Sequence, residues 1–264
     1  MTKKLTNSLA TITIPMLASL ALMAFTLVGY PEVASTVEAD KLSNYKQRQY
    51  KKDATRLALR MISGNGDYTA ISPEVPQDLV ESIYNALVAI HLSGTNKAHE
   101  VTKSHKLHTF PVPNVDHFSV IYRRDAPWAV PLRLGDNETD NEQINALCQQ
   151  FGLIIENHVE WDEEQNAFSI RAKQSLNLAP IAKEFLNIQG IEQVDMHTPG
   201  GDGNDIEIKQ LPDGWEIHYL VKFGSCLSGC ENLHRWSFAV KKDGNVHFVG
   251  ESGDELPDWM QARD

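Results

Sequence analysis

The chain has 264 residues, 42% of them apolar and 22% charged, with nine Phe, seven Tyr and five Trp. This composition excludes a disordered or low-complexity chain and allows one or two packed domains. A net charge of −11 excludes a general nucleic-acid binder, because phosphate binding needs a basic face.

Residues 1–8 hold Lys3 and Lys4 and no acid, and Leu9 to Gly29 follow as 21 residues without a charge, interrupted by Pro15. A basic start before an apolar stretch reads as a signal peptide or an N-terminal anchor over residues 1–35. Val33-Ala34-Ser35 and Val37-Glu38-Ala39 place small residues as a signal peptidase requires. The first 40 residues hold no cysteine, which excludes lipid attachment at an N-terminal Cys. Residues 1–30 carry two bases and no acids, so the rest has 22 bases against 35 acids, a charge of −13. The expected location is exported: periplasmic, cell-surface or secreted. Contact with a membrane is expected only through the N-terminal segment, if it is retained.

Ser43 to Ile62 predicts a helix with Tyr50, Ala54, Leu57, Ala58 and Met61 on one stripe. Its other face carries Lys46, Arg48, Lys52 and Arg56, and reads as a solvated face rather than a binding patch. A second helix runs from about Pro76 to Leu92, with Val80, Ile83, Tyr84, Leu87 and His91 aligned and Ser93-Gly94 as its stop. His91 reads as a core or boundary histidine. Together residues 40–95 form a helical pair. Residues 96–116 are polar, with His99, His105 and His108, and read as a loop with at most one short strand.

Residues 117–197 carry a regular pattern. Phe118–Tyr122 is a strand, and Thr139-Asp-Asn-Glu142 is a capping box before a helix with Ile144, Leu147, Cys148 and Phe151 on one face. Leu153–Trp161 and Ala167–Lys173 are strands joined by a polar turn. Asn177 caps a helix with Ile181, Ala182, Phe185 and Ile188 inward, and Ile191–Met196 closes the set. The order β-α-β-β-α-β is ferredoxin-like. The two crossovers should set the strands they join parallel and put both helices on one sheet face. The long connection 124–138, with Trp128, predicts an insertion or extra strand.

After Pro199-Gly-Gly-Asp-Gly203 the pattern is all-β. Trp215, Ile217, Tyr219, Val221 and Phe223 alternate with polar residues, Trp236, Phe238 and Val240 share a face, and Asp243-Gly244 marks a hairpin. Residues 204–253 should form a four-stranded antiparallel meander with one aromatic face inside, and 254–264 a tail. The fold class is therefore α+β.

Cys226 and Cys230 lie in Gly224-Ser-Cys-Leu-Ser-Gly-Cys-Glu231, and in an oxidising compartment should close a small disulfide. Chain-entropy arithmetic gives such a loop about 2 kcal/mol. A redox pair would want C-x-x-C at a helix N-terminus. A metal site built from Cys226, Cys230, His234 and His218 has ligand types that suit zinc, but not a standard spacing. Cys148 reads as a buried unpaired thiol. Gly200-Gly-Asp-Gly-Asn-Asp205 matches half of a calcium-binding repeat. Only one copy exists, so a flexible acidic turn is the main reading, with Asp202, Asn204 and Asp205 as a weak calcium site. His99-Glu100-x4-His105 has the wrong spacing for a zincin helix, and Gly250-Glu-Ser252-Gly253 reads as a turn at the sheet end. No catalytic set converges, and no cofactor is called for.

Four segments carry a resemblance: Lys52-Asp-Ala-Thr-Arg-Leu-Ala58, His108-Thr-Phe-Pro111, Gly201-Asp-Gly-Asn-Asp-Ile206 and Ser225-Cys-Leu-Ser-Gly-Cys-Glu-Asn-Leu-His-Arg-Trp236. On these the chain resembles an uncharacterised family of secreted bacterial proteins, which implies export and no catalytic residue. Residues 117–197 are similar in element order to the propeptide and inhibitor domains of subtilisin-like proteases, with Ile191-Glu-Gln-Val-Asp-Met196 like their closing strand. The expectation is a non-enzymatic exported binding or accessory module, inhibitor-like in one version, whose ligand is a protein or small molecule of unstated identity. The competing expectation is a metal- or thiol-dependent enzyme around Cys226, Cys230, His218 and His234.

Overall fold

A computed structural model describes residues 29–34 and 41–260 of the chain. Most of the N-terminal apolar stretch, and the export signal expected there, lies outside the described residues. No described helix is long and apolar enough to cross a membrane.

Helix α1 spans Asn44–Ser63, with the Ser43 side chain accepting from the Lys46 amide at its start. Helix α2 spans Gln77–Leu92. Its burial exceeds the single stripe read from the sequence: Leu79, Ile83, Ala86, Leu87, Val88 and Ile90 are all fully buried. A helix apolar on more than one side must be covered on more than one side. Here α1 covers one side, and the C-terminal sheet another. The expected loop 96–116 opens instead with a short helix, α3 (Asn96–His99), and a π-helical turn Glu100–Ser104, before irregular chain leads to residue 116.

The middle of the chain folds as the pattern predicts. Strands β1 (His117–Arg123), β2 (Leu153–Glu160), β3 (Gln165–Ala172) and β4 (Ile191–Asp195) form one sheet in the order β2-β3-β1-β4. Every neighbouring pair is antiparallel. The strands joined by a helix run parallel but are never neighbours, since an antiparallel strand lies between them. The connection after β1 holds no extra strand. It holds a short turn at Pro127–Ala129 and helix α4 (Val130–Arg133), anchored by Trp128, whose Nε1 donates to the Gln189 carbonyl at 2.9 Å. Helix α5 (Glu142–Phe151) is capped by Asn141, not Thr139: Asn141 Oδ1 accepts from the amides of Gln143 and Ile144. Thr139 is spent on Asn145 and the Asn141 amide. Helix α6 (Leu178–Leu186) is capped by Asn177 as expected. Both long helices pack on the face formed by Phe118, Val120, Tyr122, Phe168 and Ile170.

The C-terminal strands β5 (Asp205–Leu211), β6 (Gly214–Phe223), β7 (Asn232–Lys241) and β8 (Val246–Gly253) form the expected meander, in the order β5-β6-β7-β8. Gly250 to Gly253 belong to β8 and are not a terminal turn. Residues after 253 are not simply a tail, because Leu256 is buried in the core and Met260 packs on it.

The grouping of these parts differs from their order in sequence. Trp215, Ile217, Tyr219, Trp236 and Phe238 of the meander share one core with Leu57, Leu79, Ile83 and Leu87 of the helical pair. The ferredoxin-like unit has a separate core. The first and last parts of the chain therefore make one unit, and residues 117–197 are inserted into it. The meander has one apolar face and no helices of its own, so it needs an outside partner to keep that face from water. The apolar sides of α1 and α2 supply it.

Residues 29–34 cross this first unit as a strap. Val33 is 2% exposed, and Tyr30 packs on the same core. The Ala34 amide donates to the Lys242 carbonyl at 2.8 Å, and Asn85 Nδ2 donates to the Val33 carbonyl at 2.9 Å. The buried Ser82 hydroxyl donates to the Pro31 carbonyl and accepts from Trp215 Nε1 at 2.8 Å.

Candidate functional site

The two units meet at a cleft of about 520 Å³. One wall is the outer face of α1, where Tyr45, Arg48, Lys52 and Thr55 recur at three- and four-residue steps and so stack on one side. The other wall is the end of β3 with the loop that follows, including Arg171, Lys173 and Ser175. Lys51 and Asp116 also line it, as do Gln77 and Val80 of α2.

Five bases therefore converge on one cleft in a protein with a net charge of −11. Three are offset by carboxylates. Lys52 pairs with Asp116, Lys51 with Glu81, and Arg171 Nε donates to Glu156 Oε1 at 2.8 Å. Among the described residues, Arg48 and Lys173 have no acidic partner. Burial pushes the Asp116 carboxyl up, but His117 and Lys52 outweigh that and hold it well below the usual carboxylate range. Asp116 is thus a fixed anion that orients Lys52. The arrangement can hold an anion by charge and by donated hydrogen bonds.

The sequence reading treated the basic face of α1 as solvated. The structure divides it. Arg56 is buried, its Nε donating to the Pro113 carbonyl at 3.2 Å. Lys52 is half-buried and paired, while Arg48 faces the cleft. Arg171 and Lys173 lie more than 100 residues downstream and carry no motif. No signal in the sequence joins them to α1.

Behind α1, toward the core, lies a polar network. Asp53 is 1% exposed and accepts from His108 Nδ1 at 2.6 Å and from the Thr109 hydroxyl and amide at 2.7 and 3.1 Å. The Tyr50 hydroxyl lies 2.8 Å from His91 Nδ1. Burial, with Asp53 adding, raises the Tyr50 phenol, and burial likewise raises the Tyr219 phenol. Both therefore stay neutral. His91, read as a core histidine, is 6% exposed, and burial lowers its pKa to about 4, with Lys46, Lys103, His108 and His99 pushing the same way. This network holds α1, α2 and the 105–109 segment together.

The structure disperses the metal-type site. Cys226 and Cys230 form a disulfide, so neither sulfur is a thiolate ligand. His218 and His234 lie on opposite faces of the meander. His218 Nδ1 lies 2.9 Å from Ser237 Oγ, on the polar side. The His234 ring lies 4.3 Å from the Trp236 ring, in register with Val221 on the apolar side. The calcium-type donors are also engaged: Asp202 accepts from Lys222 Nζ at 2.8 Å, Asn204 from the Lys222 amide at 3.0 Å, and Asp205 from Arg60 at 2.9 Å. Among the described residues no three His, Cys, Asp or Glu side chains gather to hold a metal ion. Cys148 is half-buried rather than buried, and desolvation raises its thiol to about 11.

The link after β4 is equally tied down. Met196 O accepts from Asn114 Nδ2, His197 Nε2 lies 2.9 Å from Ser119 Oγ, and the Asp202 amide donates to Cys226 O at 2.9 Å. Gly201 has φ +80°, and a Cβ there would meet Cys226 O at 2.6 Å, so this approach requires glycine. The link then enters β5 at Asp205. No family model, curated protein or solved structure matches this chain.

Proposed function

We propose that the protein is an exported binding module whose ligand is an anion seated between its two units. The observation that carries this is the convergence of Arg48, Lys51, Lys52, Arg171 and Lys173 on one cleft, where Arg48 and Lys173 have no acidic partner among the described residues. Uncompensated cations facing each other repel, and a bound anion relieves that repulsion. The bases come from both units, so a ligand that bridges them also fixes their relative position. Tyr45, 63% exposed on the lining, adds an aromatic face. This favours an organic anion bearing carboxylate or phosphate groups over a bare ion. The Cys226–Cys230 bridge and the apolar N-terminal stretch support export.

Calorimetric titration with citrate, a sugar phosphate and a short polyglutamate tests the reading. At least one should bind, weakening as salt rises. The Arg48→Glu/Lys173→Glu double variant should lose ten-fold or more of that affinity. Unchanged affinity in this variant, or no binding by any of the three at low salt, would overturn the proposal.

A further inference from the structure

We infer that the chain is also a hydrolase, in which Ser119, His197 and Asp195 act as nucleophile, base and orienting carboxylate on esters with an anionic acid part. Side chains alternate across a strand, and Phe118, Val120, Phe168, Ile170 and Val194 point into the core of the ferredoxin-like unit. Ser119, Ser169 and Asp195 therefore lie on the other face, opposite α5 and α6. They sit side by side because Ser119 is in register with both.

His197 follows β4 and folds back over the sheet. Its φ of +48° lies in the left-handed region, uncommon for a residue with a Cβ. Asp195 Oδ1 accepts from its amide at 2.8 Å, and Met196 O accepts from Asn114 Nδ2 at 3.0 Å, so the turn is held. The ring Nε2 then lies 2.9 Å from Ser119 Oγ, and Nδ1 faces Asp195 Oδ2 at 3.6 Å. This is the connectivity that nucleophilic catalysis needs: hydroxyl at one ring nitrogen, carboxylate at the other. The Asp195 gap is wider than a hydrogen bond, as such contacts can be before substrate binds. His117 stacks on the His197 ring with an interplanar angle of 23° and fixes its plane. Ser169 Oγ, 3.4 Å from Ser119 Oγ, places a donor beside the nucleophile.

A proton on Nδ1, toward Asp195, leaves Nε2 free as an acceptor. Ser119 Oγ attacks the ester carbonyl carbon while its proton passes to Nε2. The Ser169 hydroxyl donates to the oxygen that takes up the negative charge. The adduct collapses, the bond to the alcohol oxygen breaks, and Nε2 gives the proton to the leaving alkoxide. Water then passes a proton to Nε2 and attacks the acyl carbon. The bond to Ser119 breaks, Oγ takes the proton back, and the acid leaves. One ester and one water become one acid and one alcohol.

The substrate class rests on the anion-binding reading, whereas the chemistry does not. Arg171 is in register with His117, beside the triad, and lines the basic cleft. Asp116 ties His117 to that cleft: its Oδ1 lies 2.9 Å from His117 Nδ1, and its other oxygen pairs with Lys52. The cleft thus begins where the triad ends, and suits an anionic group on the acyl side.

The test treats the full chain with an uncharged fluorophosphonate and maps the adduct by mass spectrometry. Attack at phosphorus should expel fluoride and leave one adduct, on Ser119. No adduct there, or equal labelling of a Ser119→Ala variant, overturns the proposal. Asp195→Asn checks the triad. The amide oxygen still accepts from the His197 amide, but the NH₂ group donates to Nδ1, which forces the ring proton onto Nε2 and leaves Ser119 without a base. Labelling should slow at least hundred-fold with an unchanged circular-dichroism melt, and His197→Asn should slow it as much. A wild-type rate in either folded variant overturns the triad. Hydrolysis of mono-4-nitrophenyl succinate and 4-nitrophenyl butyrate, each measured against Ser119→Ala, tests the substrate class. The succinate ester should be favoured at least ten-fold in kcat/KM. Equal values overturn the anionic substrate and leave the nucleophile standing. Labelling of Ser119 in a protein that binds none of the three titrated anions removes the anion reading and keeps the chemistry.

Discussion

The rings of His117 and His197 stack with centroids 5.2 Å apart, although 80 positions separate them. They mark the entry to and exit from the ferredoxin-like unit, and strands β1 and β4 run side by side between them. An insertion whose ends touch places little strain on its host. Replacing residues 117–197 by a short Gly/Ser linker should therefore leave a soluble remainder with one cooperative unfolding transition. Deleting residues 41–95 should instead leave the aromatic face of the meander in water and give insoluble protein. Solubility and circular-dichroism melts of the two deletions check this. A soluble, cooperative 41–95 deletion would contradict the shared core.

Asn177 joins the two units. Its Oδ1 caps α6, while its Nδ2 donates to the carbonyls of Tyr68, Ile71 and Ser72, at 2.7, 3.1 and 3.3 Å. The residue is fully buried. Asn177→Ala loses a cap worth about 1 kcal/mol and leaves buried carbonyls without a donor, for roughly 2–4 kcal/mol together. Asn177→Asp keeps the cap, but loses the donor and turns a buried carboxylate oxygen toward those carbonyls. Urea unfolding should rank wild type above both variants. Hydrogen exchange in residues 68–73 should rise in both, and in α6 only for the alanine.

Asp53 answers to Arg56 as well as to His108. Arg56 Nη1 lies 3.8 Å from Asp53 Oδ1, with the carboxylate buried and the guanidinium nearly so. Asp53→Ala strips a buried base of its counter-charge and should cost about 3–5 kcal/mol. His108→Gln keeps a hydrogen bond to Asp53 and should cost about 1 kcal/mol. Denaturant midpoints measure both, and equal losses would contradict the ranking.

His91 makes stability depend on pH in a defined direction. Its folded pKa of about 4 lies below the ordinary 6.5, so the folded protein binds this proton less readily than the unfolded chain. The contribution is fully present above pH 6.5. It is lost as pH falls from 6.5 toward 4 and does not change further below. His91→Gln should be less stable than wild type at pH 7.5, and the gap should narrow at pH 5. Urea midpoints at pH 7.5, 6, 5 and 4 follow the difference. A gap that widens on acidification would reverse the sign.

The inserted unit was legible because its signals are local. Asn177 beside its helix and the alternation in β3 each act within a few residues, whereas the alternation in β2 holds for Leu153 and Ile155 and is broken by the register shift before Val159, which is exposed. The cap at Asn141 was displaced by two positions because Thr139 and Asn141 offer the same chemistry and differ only in which amides they reach. The partner of α2 was not legible. Leu79, Ala86, Val88 and Ile90 announce a second apolar side, but nothing in them points to Trp215 or Phe238 more than 100 residues away. The cleft is harder still, since Arg48 and Lys173 owe their proximity to how two cores dock.

The shared core also dictates an order of events during synthesis. The inserted unit is contiguous and can close once about 200 residues have emerged. Helices α1 and α2 cannot, because their partner strands end at Gly253. At roughly 5–20 residues per second, the 161 residues between Leu92 and Gly253 keep Leu79, Ile83 and Leu87 uncovered for about 8–32 s. Variants that weaken the meander should therefore aggregate through α2.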